Sequence, residues 1–331
     1  MPRFVMLLIV LCITTGCSRL RFVIDAVPAD EDLVETTVLQ DEGAGRLFET
    51  DSKIAMIDVS GLIIDMEQSS LLMRRENPVA RFAEALRKAE EDRDVRALIV
   101  RINSPGGTVT ASAVVYRELL HFREQSTKPV VILMADVAAS GGYYLACAGD
   151  EIIAHPTTVT GSIGVLMQTF NFAEGMRRIG IRADAITSGS NKSMGSPFEP
   201  MPPEHRELLQ GIVNEFYQSF LAVVETERPE LSAEDLAWIT DGRVVTGARA
   251  AEVGLIDRVG DLRDAFEAAK QRAGLMHARL VKYHRPLDHV ASPYAAAPLA
   301  APQANLVQLN VAAPMLGDNV GFYYLWDPMV W

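Results

Sequence analysis

The chain has 331 residues, of which 49% are hydrophobic and 22% are charged, and this composition is typical of a globular protein with enough apolar material for a core. Its formal net charge of -12 argues against a nucleic acid as partner, because binding to phosphates needs basic surface. The three cysteines have no metal-ligand spacing with one another or with a histidine. We therefore expect no metal and no cofactor.

The N-terminus has the pattern of a membrane-targeting segment. Arg3 precedes an apolar run from Phe4 to Ile13, which is short for a membrane span and the right length for a signal peptide. The run leads to Cys17 and resembles a bacterial lipobox, in which the cysteine is lipidated, although Thr14 stands where leucine is usual. Ordinary secretory cleavage and an uncleaved anchor remain alternatives. We predict a signal peptide over 1–16 and a membrane-anchored protein on the extracytoplasmic side of a bacterial cell envelope.

The middle of the chain alternates between strand and helix patterns. An acidic tether over 17–52, with one short strand at Val34 to Leu39, precedes the main domain, which we place at 53–283. Apolar runs predict strands over 53–64, 97–102, 129–135, 151–154 and 158–167, with an extended segment over 183–186. Helical periodicity predicts helices after Pro78, over 110–125 and 171–179, from Pro203, between 241 and 257, and near Asp261. Such alternation predicts an α/β layer fold.

The C-terminal part, 284–331, differs from this pattern. Alanine and proline dominate from Pro286 to Ala304, which predicts a disordered linker. The aromatic end from Gly321 to Trp331 has three possible contacts, namely a membrane interface, a neighbouring subunit and its own core. The sequence leaves these three open.

Ser140 is the first candidate for chemistry. It follows the strand that begins near Val130 and precedes Gly141 and Gly142 at a predicted helix start. Free backbone N–H groups and the positive end of the helix dipole favour a developing oxyanion at such a position, so Ser140 is a candidate nucleophile. The alternative is that Ser140 only caps the helix.

An acyl-transfer site also needs oxyanion donors and a base. The loop Asn103 to Gly107 follows a buried strand, and its bare glycine N–H groups could join Gly141 in a two-donor hole. Two residues are candidate bases. His155 lies 15 residues after Ser140, whereas Lys192 lies in a polar loop with no acid closer than Glu199. A lysine acts as base only where desolvation lowers its pKa from about 10.4 toward neutrality.

Five motifs occur together and in order between residues 53 and 275. They are Asn103-Ser-Pro-Gly-Gly107, Ala138-Ala-Ser-Gly-Gly-Tyr-Tyr144, Thr160-Gly-Ser-Ile-Gly-Val165, Ser188-Gly-Ser-Asn-Lys-Ser-Met-Gly-Ser-Pro197 and Asp241-Gly-Arg-Val-Val-Thr-Gly247. This set resembles the signal peptide peptidase A family, serine peptidases of the S49 type. The resemblance implies a fold similar to Clp protease and crotonase, built of stacked ββα units, here as a single repeat.

The resemblance also assigns roles. It implies that Ser140 is the nucleophile, Lys192 the general base, Gly106 or Gly107 with Gly141 the oxyanion hole, and Ser162 a support for the lysine. It implies apolar peptide substrates, such as signal peptides left in the membrane after cleavage. In the family the serine and lysine of one site come from different repeats or subunits. A single repeat therefore predicts a closed homo-oligomeric ring whose sites are shared between subunits.

Two positions depart from the family pattern. Ser193 follows Lys192 where an acid is common, and His155 stands where asparagine is frequent. The first puts the contacts around the lysine in doubt, and the second favours a structural role for His155. A Ser140–His155 peptidase, a crotonase-like acyl-CoA enzyme and a catalytically silent scaffold remain the alternatives.

Overall fold

The computed structural model describes residues 32–41, 52–66, 68–69, 74–286, 290, 292–295 and 321–326. The predicted signal peptide, Cys17 and most of the predicted Ala/Pro-rich linker lie outside these residues. The described strands, in chain order, are β1 (Val34–Gln40), β2 (Lys53–Ser60), β3 (Gln68–Ser69), β4 (Arg74–Arg75), β5 (Val95–Ser104), β6 (Gly106–Thr108), β7 (Val130–Ala139), β8 (Glu151–Ala154), β9 (Val159–Gly161), β10 (Val244–Thr246), β11 (Arg258–Val259), β12 (Arg279–His284) and β13 (Tyr323–Leu325).

Helices alternate with these strands through most of the chain. They are α1 (Pro78–Glu91), α2 (Val109–Ser126), α3 (Gly141–Ala146), α4 (Ala173–Arg178), α5 (Pro203–Glu227), α6 (Ala233–Ile239), α7 (Gly247–Glu252) and α8 (Leu262–Arg272). Their ends follow local chemistry. The Asn77 side chain accepts hydrogen bonds from the first turn of α1, which has Pro78 at its first position. Asp261 and Asp264 form a capping box at the start of α8.

A nine-stranded, mostly parallel sheet forms the centre of the described structure. The strand order is β1-β12-β2-β5-β7-β8-β11, and β9 pairs with the far end of β7 and with β10. Only the β1–β12 and β9–β10 pairs of this sheet are antiparallel among the described strands. The mixed α/β class with a large parallel sheet is thus confirmed.

The sheet is buried on both faces. Alternate residues of each strand point to opposite sides, and each side packs against its own helices. On one face, Leu98, Val100 and Ile132 belong to the same apolar cluster as residues of α1, α2 and α3. On the other face, Ile99 and Val131 cluster with α8. The strand β7 therefore lies in the interior, and its carboxyl end carries Ser140 into the protein.

Most of the predicted elements are confirmed, and three differ. In the run over 158–167 only Val159–Gly161 form a strand. Small residues suggested that the strand ends at Ala135, yet β7 continues to Ala139 because Val137–Ala139 pair with Val159–Gly161. Cross-strand pairing here overrides the weak strand propensity of alanine. Residues 183–186 form no strand, although the structure describes them. All four are exposed and no neighbouring strand pairs with them.

Two strands lie at the ends of the described chain. The predicted strand in the acidic segment is β1, which pairs with β12, a strand that the sequence interpretation missed. The aromatic segment forms β13, which pairs with β6, so its contact is with the core of the same chain. Both strands belong to one compact unit that begins at Leu33. The predicted domain boundaries at 53 and 283 fall inside this unit.

Candidate active site

Ser140 lies in a strained turn between β7 and α3. Its φ of 53° and ψ of -115° are unusual for a residue with a side chain. The Ser140 amide donates to the carbonyl oxygen of Gly161 at 2.8 Å, which fixes the turn. The side chain is 1% exposed, and its Oγ has no hydrogen-bond partner among the described residues. A buried hydroxyl without a partner is rare in proteins and marks a group that is available for chemistry.

Gly106, Gly107 and Gly141 are brought together beside this serine. A Cβ atom on Gly106 would lie 2.7 Å from the Gly141 nitrogen, and one on Gly141 would lie 3.2 Å from the Gly107 nitrogen. Gly106 has a φ of 106°, which favours glycine. The sequence-predicted donors therefore share one site, and their backbones approach one another closely because none carries a side chain.

The two candidate loop donors differ in their hydrogen bonds. The Val109 amide donates to Phe322 O at 3.1 Å, and the Trp326 amide donates to Pro105 O at 2.8 Å. Since hydrogen-bonded pairs alternate along an antiparallel ladder, Gly107 and Tyr324, which lie opposite each other between these pairs, also exchange hydrogen bonds. The Gly107 amide is therefore committed to a strand.

The Gly106 amide instead donates to the hydroxyl of Ser104 at 3.1 Å. Ser104 Oγ in turn donates to Gly61 O at 2.6 Å. A side-chain hydroxyl is a more replaceable acceptor than a strand carbonyl. The geometry favours Gly106 over Gly107 as the loop donor.

Ser162 lies next to the nucleophile turn. Gly161, its neighbour in the chain, accepts the Ser140 amide, and the Ser162 amide donates to Arg243 O at 2.7 Å. Ser162 has a φ of 51° and is 8% exposed. The turn that carries Ser162 is thus held against the Ser140 turn on one side and the segment before β10 on the other.

Lys192 is not brought to Ser140 within one chain. It is exposed in a turn in which its amide donates to Gly189 O at 3.1 Å. Its side chain forms no ion pair or hydrogen bond with the residues that the structure describes. The predicted dyad is therefore incomplete in the isolated chain.

A cavity of about 380 Å³ lies beside the Lys192 turn, lined by Asn191, Ser193, Glu199 and His205 among others. His205 is 8% exposed, and its Nε2 lies 3.1 Å from Ser190 O, which ties the turn to α5. Hydrogen bonds from the Ala185 amide and the Ser193 hydroxyl lower the pKa of the Glu199 carboxyl. Ser193, the residue that replaces an acid in the family pattern, thus contacts an acid from elsewhere in the loop.

His155, the alternative base, also lies apart from Ser140. Its side chain is exposed, and its Nδ1 shares a 2.8 Å hydrogen bond with Thr157 Oγ1. Its carbonyl oxygen would be 2.1 Å from a Cβ on Gly247, so the backbone at His155 packs tightly. This arrangement favours a local structural role.

The sequence interpretation missed Ser112. This residue is fully buried on α2, and its Oγ has no hydrogen-bond partner among the described residues. The oxygen would lie 2.4 Å from a Cβ on Gly141. A serine on the apolar stripe of α2, between Val109 and Val115, is the signal that could have revealed it.

Two kinds of feature are absent from the described ranges. No group of three or more histidine, cysteine, aspartate or glutamate side chains there could hold a metal ion. No helix in that part of the chain is both long and apolar enough to cross a bilayer.

The chain is similar in sequence to a peptidase family and to several proteins named as proteases. The profile described as peptidase family S49 matches residues 122–276. A candidate signal peptide peptidase SppA of Enterococcus faecium is 29% identical over 280 residues, covering 85% of this chain and 77% of that protein. A candidate protease of Synechocystis sp. is 35% identical over 226 residues, covering 68% of this chain and 76% of that protein.

A longer relative, the chloroplastic serine protease SPPA of Arabidopsis thaliana, is 38% identical over 207 residues. The match covers 61% of this chain and 30% of that protein. The family match begins in the last turns of α2 and extends over β7, the Ser140 turn and the Lys192 turn. The chain therefore belongs to peptidase family S49 and is a serine-type peptidase.

Proposed function

We propose that the protein is a membrane-associated serine endopeptidase with a Ser140–Lys192 dyad, on a fold similar to Clp protease and crotonase. The observation that carries the proposal is the Ser140 hydroxyl, which is buried, has no hydrogen-bond partner among the described residues and is fixed in a strained turn beside three glycines. A strained strand-to-helix turn is a recurrent way to present a nucleophile.

The proposed reaction uses side chains and backbone amides of this protein, with Ser140 from one copy and Lys192 from another. The neutral amine of Lys192 takes the Ser140 proton as Oγ attacks a peptide carbonyl. The amides of Gly106 and Gly141 donate to the oxyanion, and the Gly106 amide leaves Ser104 Oγ to do so. The Lys192 ammonium then protonates the leaving amine, and water activated by the same amine releases the acyl group from Ser140.

In this proposal Lys192 comes from a chain other than the one that holds Ser140. The Lys192 segment, residues 164–204, has a surface suited to contact with another chain. None of its residues is buried. It exposes several large apolar side chains, namely Phe170, Phe172, Ile179, Ile181, Ile186 and Phe198. Ile186 is fully exposed and Ile179 is 73% exposed.

A second copy of this chain is the occupant that we infer for this surface. Apolar side chains in such number are costly in water and mark interaction sites. A neighbour seated there would exclude water from Lys192 and favour its neutral form. The homo-oligomeric ring, with Lys192 of one copy beside Ser140 of the next, follows as the assembly that fits a closed symmetry.

The substrate and the location complete the proposal. Signal peptides left in a membrane are apolar, and the apolar run from Phe4 to Ile13, with Cys17 after it, would hold the enzyme where such peptides emerge. The Enterococcus faecium relative carries the name of a signal peptide peptidase. We therefore propose apolar peptides as substrates and the outer side of a bacterial membrane as the location.

Two measurements on the assembled protein test the dyad. The first is covalent labelling of Ser140 by a fluorophosphonate, and the second is hydrolysis of an apolar fluorogenic peptide. Lys192→Ala should lower kcat about 1000-fold or more, because the base is lost. His155→Ala and the matched control Arg182→Ala, which removes another exposed cation of the Lys192 segment, should retain activity within about threefold.

The reverse pattern, with His155→Ala inactive and Lys192→Ala active, would make His155 the base. A wild-type chain that neither labels nor cleaves any apolar peptide would contradict the peptidase proposal and favour a silent scaffold. Labelling without peptide cleavage would point to acyl transfer on another substrate class.

A further inference from the structure

We propose that His205 and Glu199 are positioning residues that hold the Lys192 turn, residues 188–197, at the start of α5. The inference rests on the proposed role of Lys192 as the base. It concerns two side chains that neither the five motifs nor the proposed reaction uses. They contact the turn on either side of the lysine, at Ser190 and at Ser193.

The backbone around Lys192 is folded into consecutive turns. The Lys192 amide donates to Gly189 O at 3.1 Å, and the Met194 amide donates to Asn191 O at 3.2 Å. Each bond joins residues three apart, so these bonds fix the shape of the turn and not its place in the protein. No residue of the turn is buried. Its place therefore depends on contacts with other parts of the chain.

His205 supplies one of these contacts from the first turn of α5. It is 8% exposed and is the one buried residue between Pro203 and Ser219. Its Nε2 lies 3.1 Å from Ser190 O, and because a carbonyl oxygen can only accept, Nε2 donates this hydrogen bond. A buried polar side chain needs such a partner, and His205 has it in the Lys192 turn.

Glu199 supplies the contact on the other side. Its carboxylate accepts hydrogen bonds from the Ser193 hydroxyl and from the Ala185 amide, the second at 2.9 Å. Its carbonyl oxygen accepts from Asn171 Nδ2 at 2.8 Å. These bonds join the turn to the chain before α4 and after it. Since Ser193 directly follows Lys192, one of them acts a single residue from the base.

The other end of α5 is anchored in the core. Phe220 is fully buried, and its ring lies 5.0 Å from that of Tyr144 in α3, the helix that begins directly after Ser140. A helix rises 1.5 Å per residue, so about 22 Å of helix separates His205 from Phe220. The helix α5 therefore carries the Lys192 turn away from α3, which agrees with a lysine that serves a second copy.

The alternative is that His205 and Glu199 only stabilise the fold. A positioning role makes a further prediction, because a looser turn would expose the Lys192 amine to water and raise its pKa toward about 10.4. The reaction needs the neutral amine. The pH at which kcat/KM reaches half of its maximum should therefore move upward when the turn is loosened.

The test measures hydrolysis of an apolar fluorogenic peptide by the assembled full-length protein across a range of pH. His205→Ala should lower kcat about 10- to 100-fold and leave KM within about twofold, because misplacement of a reacting group by about 1 Å has such a cost. The half-maximal pH should rise by about one unit. His205→Phe keeps a ring and lacks the donor, so it should behave like His205→Ala.

His205→Gln is the rescue variant, because its side-chain amide can donate to Ser190 O and does not titrate. It should keep the kcat and the half-maximal pH of the wild type. A profile set by the charge of His205 itself would instead shift in His205→Gln as in His205→Ala. The matched control is His121→Ala, which removes an exposed histidine of α2 and should change neither quantity.

Glu199→Ala removes the contact on the other side of the lysine. It should lower kcat about tenfold and move the half-maximal pH in the same direction as His205→Ala. Analytical ultracentrifugation checks that each variant assembles.

His205→Ala and His205→Phe proteins with the kcat and half-maximal pH of the wild type would overturn the inference. So would a lower kcat with an unchanged half-maximal pH, a His205→Gln protein that is not rescued, or a loss of assembly in both variants. In each of these outcomes the wild type is active and Lys192→Ala is not, so the proposed function stands. An active Lys192→Ala protein would contradict the proposed dyad, and the inference with it.

Discussion

The nucleophile region, residues 130–163, and the Lys192 segment, residues 164–204, are neighbours in sequence and differ in structure. In the first, β7 enters the interior of the sheet, and every residue of α3 is buried. In the second, α4 has no buried residue and no strand is formed among its described residues. The core of the chain therefore holds the Ser140 half of the proposed site in place. The Lys192 half lies exposed on the surface of the isolated chain.

This difference in packing explains why the Ser140 half keeps a strained backbone, whereas the Lys192 half does not fix its side chain. The strained backbone at Ser140 costs free energy of about 1–3 kcal/mol and persists only where surrounding packing determines it. The core around β7 and α3 supplies such packing. Lys192 has no such surroundings, so its side chain keeps its rotamer freedom until a neighbour orders it.

The largest effect should come from adding a methyl group at Gly106, which packs against Gly141 of the nucleophile region. Gly106→Ala would place a Cβ 2.0 Å from Tyr324 O and 2.7 Å from the Gly141 amide at a φ of 106°. We expect a loss of about 3 kcal/mol in the free energy of unfolding. Since an oxyanion donor moves, kcat should fall about 100- to 1000-fold. Chemical denaturation and peptide hydrolysis measure the two quantities.

Gly175→Ala is the matched control in the Lys192 segment. Nothing lies within 4 Å of a Cβ at Gly175, which is in the middle of α4. The substitution should leave kcat unchanged and raise the free energy of unfolding by up to about 1 kcal/mol. Equal losses from both substitutions would contradict the contrast between the two regions.

A smaller effect is expected from the exposed apolar side chains of the Lys192 segment. Ile186→Ser should weaken assembly without unfolding the protein, because this side chain is fully exposed in the isolated chain. Analytical ultracentrifugation should reveal smaller species, and activity should fall about tenfold at dilute concentration and recover as concentration rises.

Met276→Ser provides the comparison for this experiment. Met276 is 85% exposed and lies outside the Lys192 segment, near the start of β12. Its substitution should leave the assembly unchanged. An Ile186→Ser protein that assembles like the wild type would remove the support that this surface gives to the ring.

The smallest effect concerns the carboxyl group of Glu151, the first residue of β8. Burial alone would raise the pKa of Glu151, but its hydrogen bonds with Arg272 at 2.7 Å and Arg258 at 2.9 Å outweigh this and lower the pKa. A carboxyl with a lowered folded-state pKa contributes stability that is full above its unfolded pKa of about 4.3 and is lost as pH falls through the folded value.

Glu151→Gln should therefore lower the free energy of unfolding by about 1 kcal/mol at pH 7, and the difference from wild type should shrink below about pH 4. Glu174→Gln is the control, because the Glu174 pairs with Arg177 and Arg178 are more than half exposed. It should have no measurable effect at either pH. A difference at Glu151 that persists unchanged at acidic pH would contradict the ionic origin.

The fold was predictable where the pattern is local. The apolar runs of β2, β5 and β7 and the periodicity of α1 and α5 determine their elements. Gly254, with a φ of 82°, lies just after the end of α7, where a left-handed residue commonly ends a helix. The segment predicted as extended over 183–186 pairs with no described strand, because a strand also needs a partner, and pairing is a property of the folded chain.

Only the half of the site around Ser140 was predictable from the sequence. Motif spacing suffices to predict that Gly106, Gly107 and Gly141 lie beside Ser140, because the carboxyl ends of parallel strands meet at one edge of a sheet. The contact of Tyr324 with Gly107 joins positions 217 residues apart, and no local pattern encodes it. The roles of Ser140 and Lys192 stay predictions until the two are tested together.

The most direct test of the shared site mixes two inactive chains. Ser140→Ala and Lys192→Ala proteins, each with its own affinity tag, are dissociated, combined in equal amounts and reassembled, and mixed assemblies are purified through both tags. If each site takes Ser140 from one copy and Lys192 from another, random mixing should restore about one quarter of wild-type hydrolysis. Verified mixed assemblies that remain as inactive as either parent would contradict a site shared between copies.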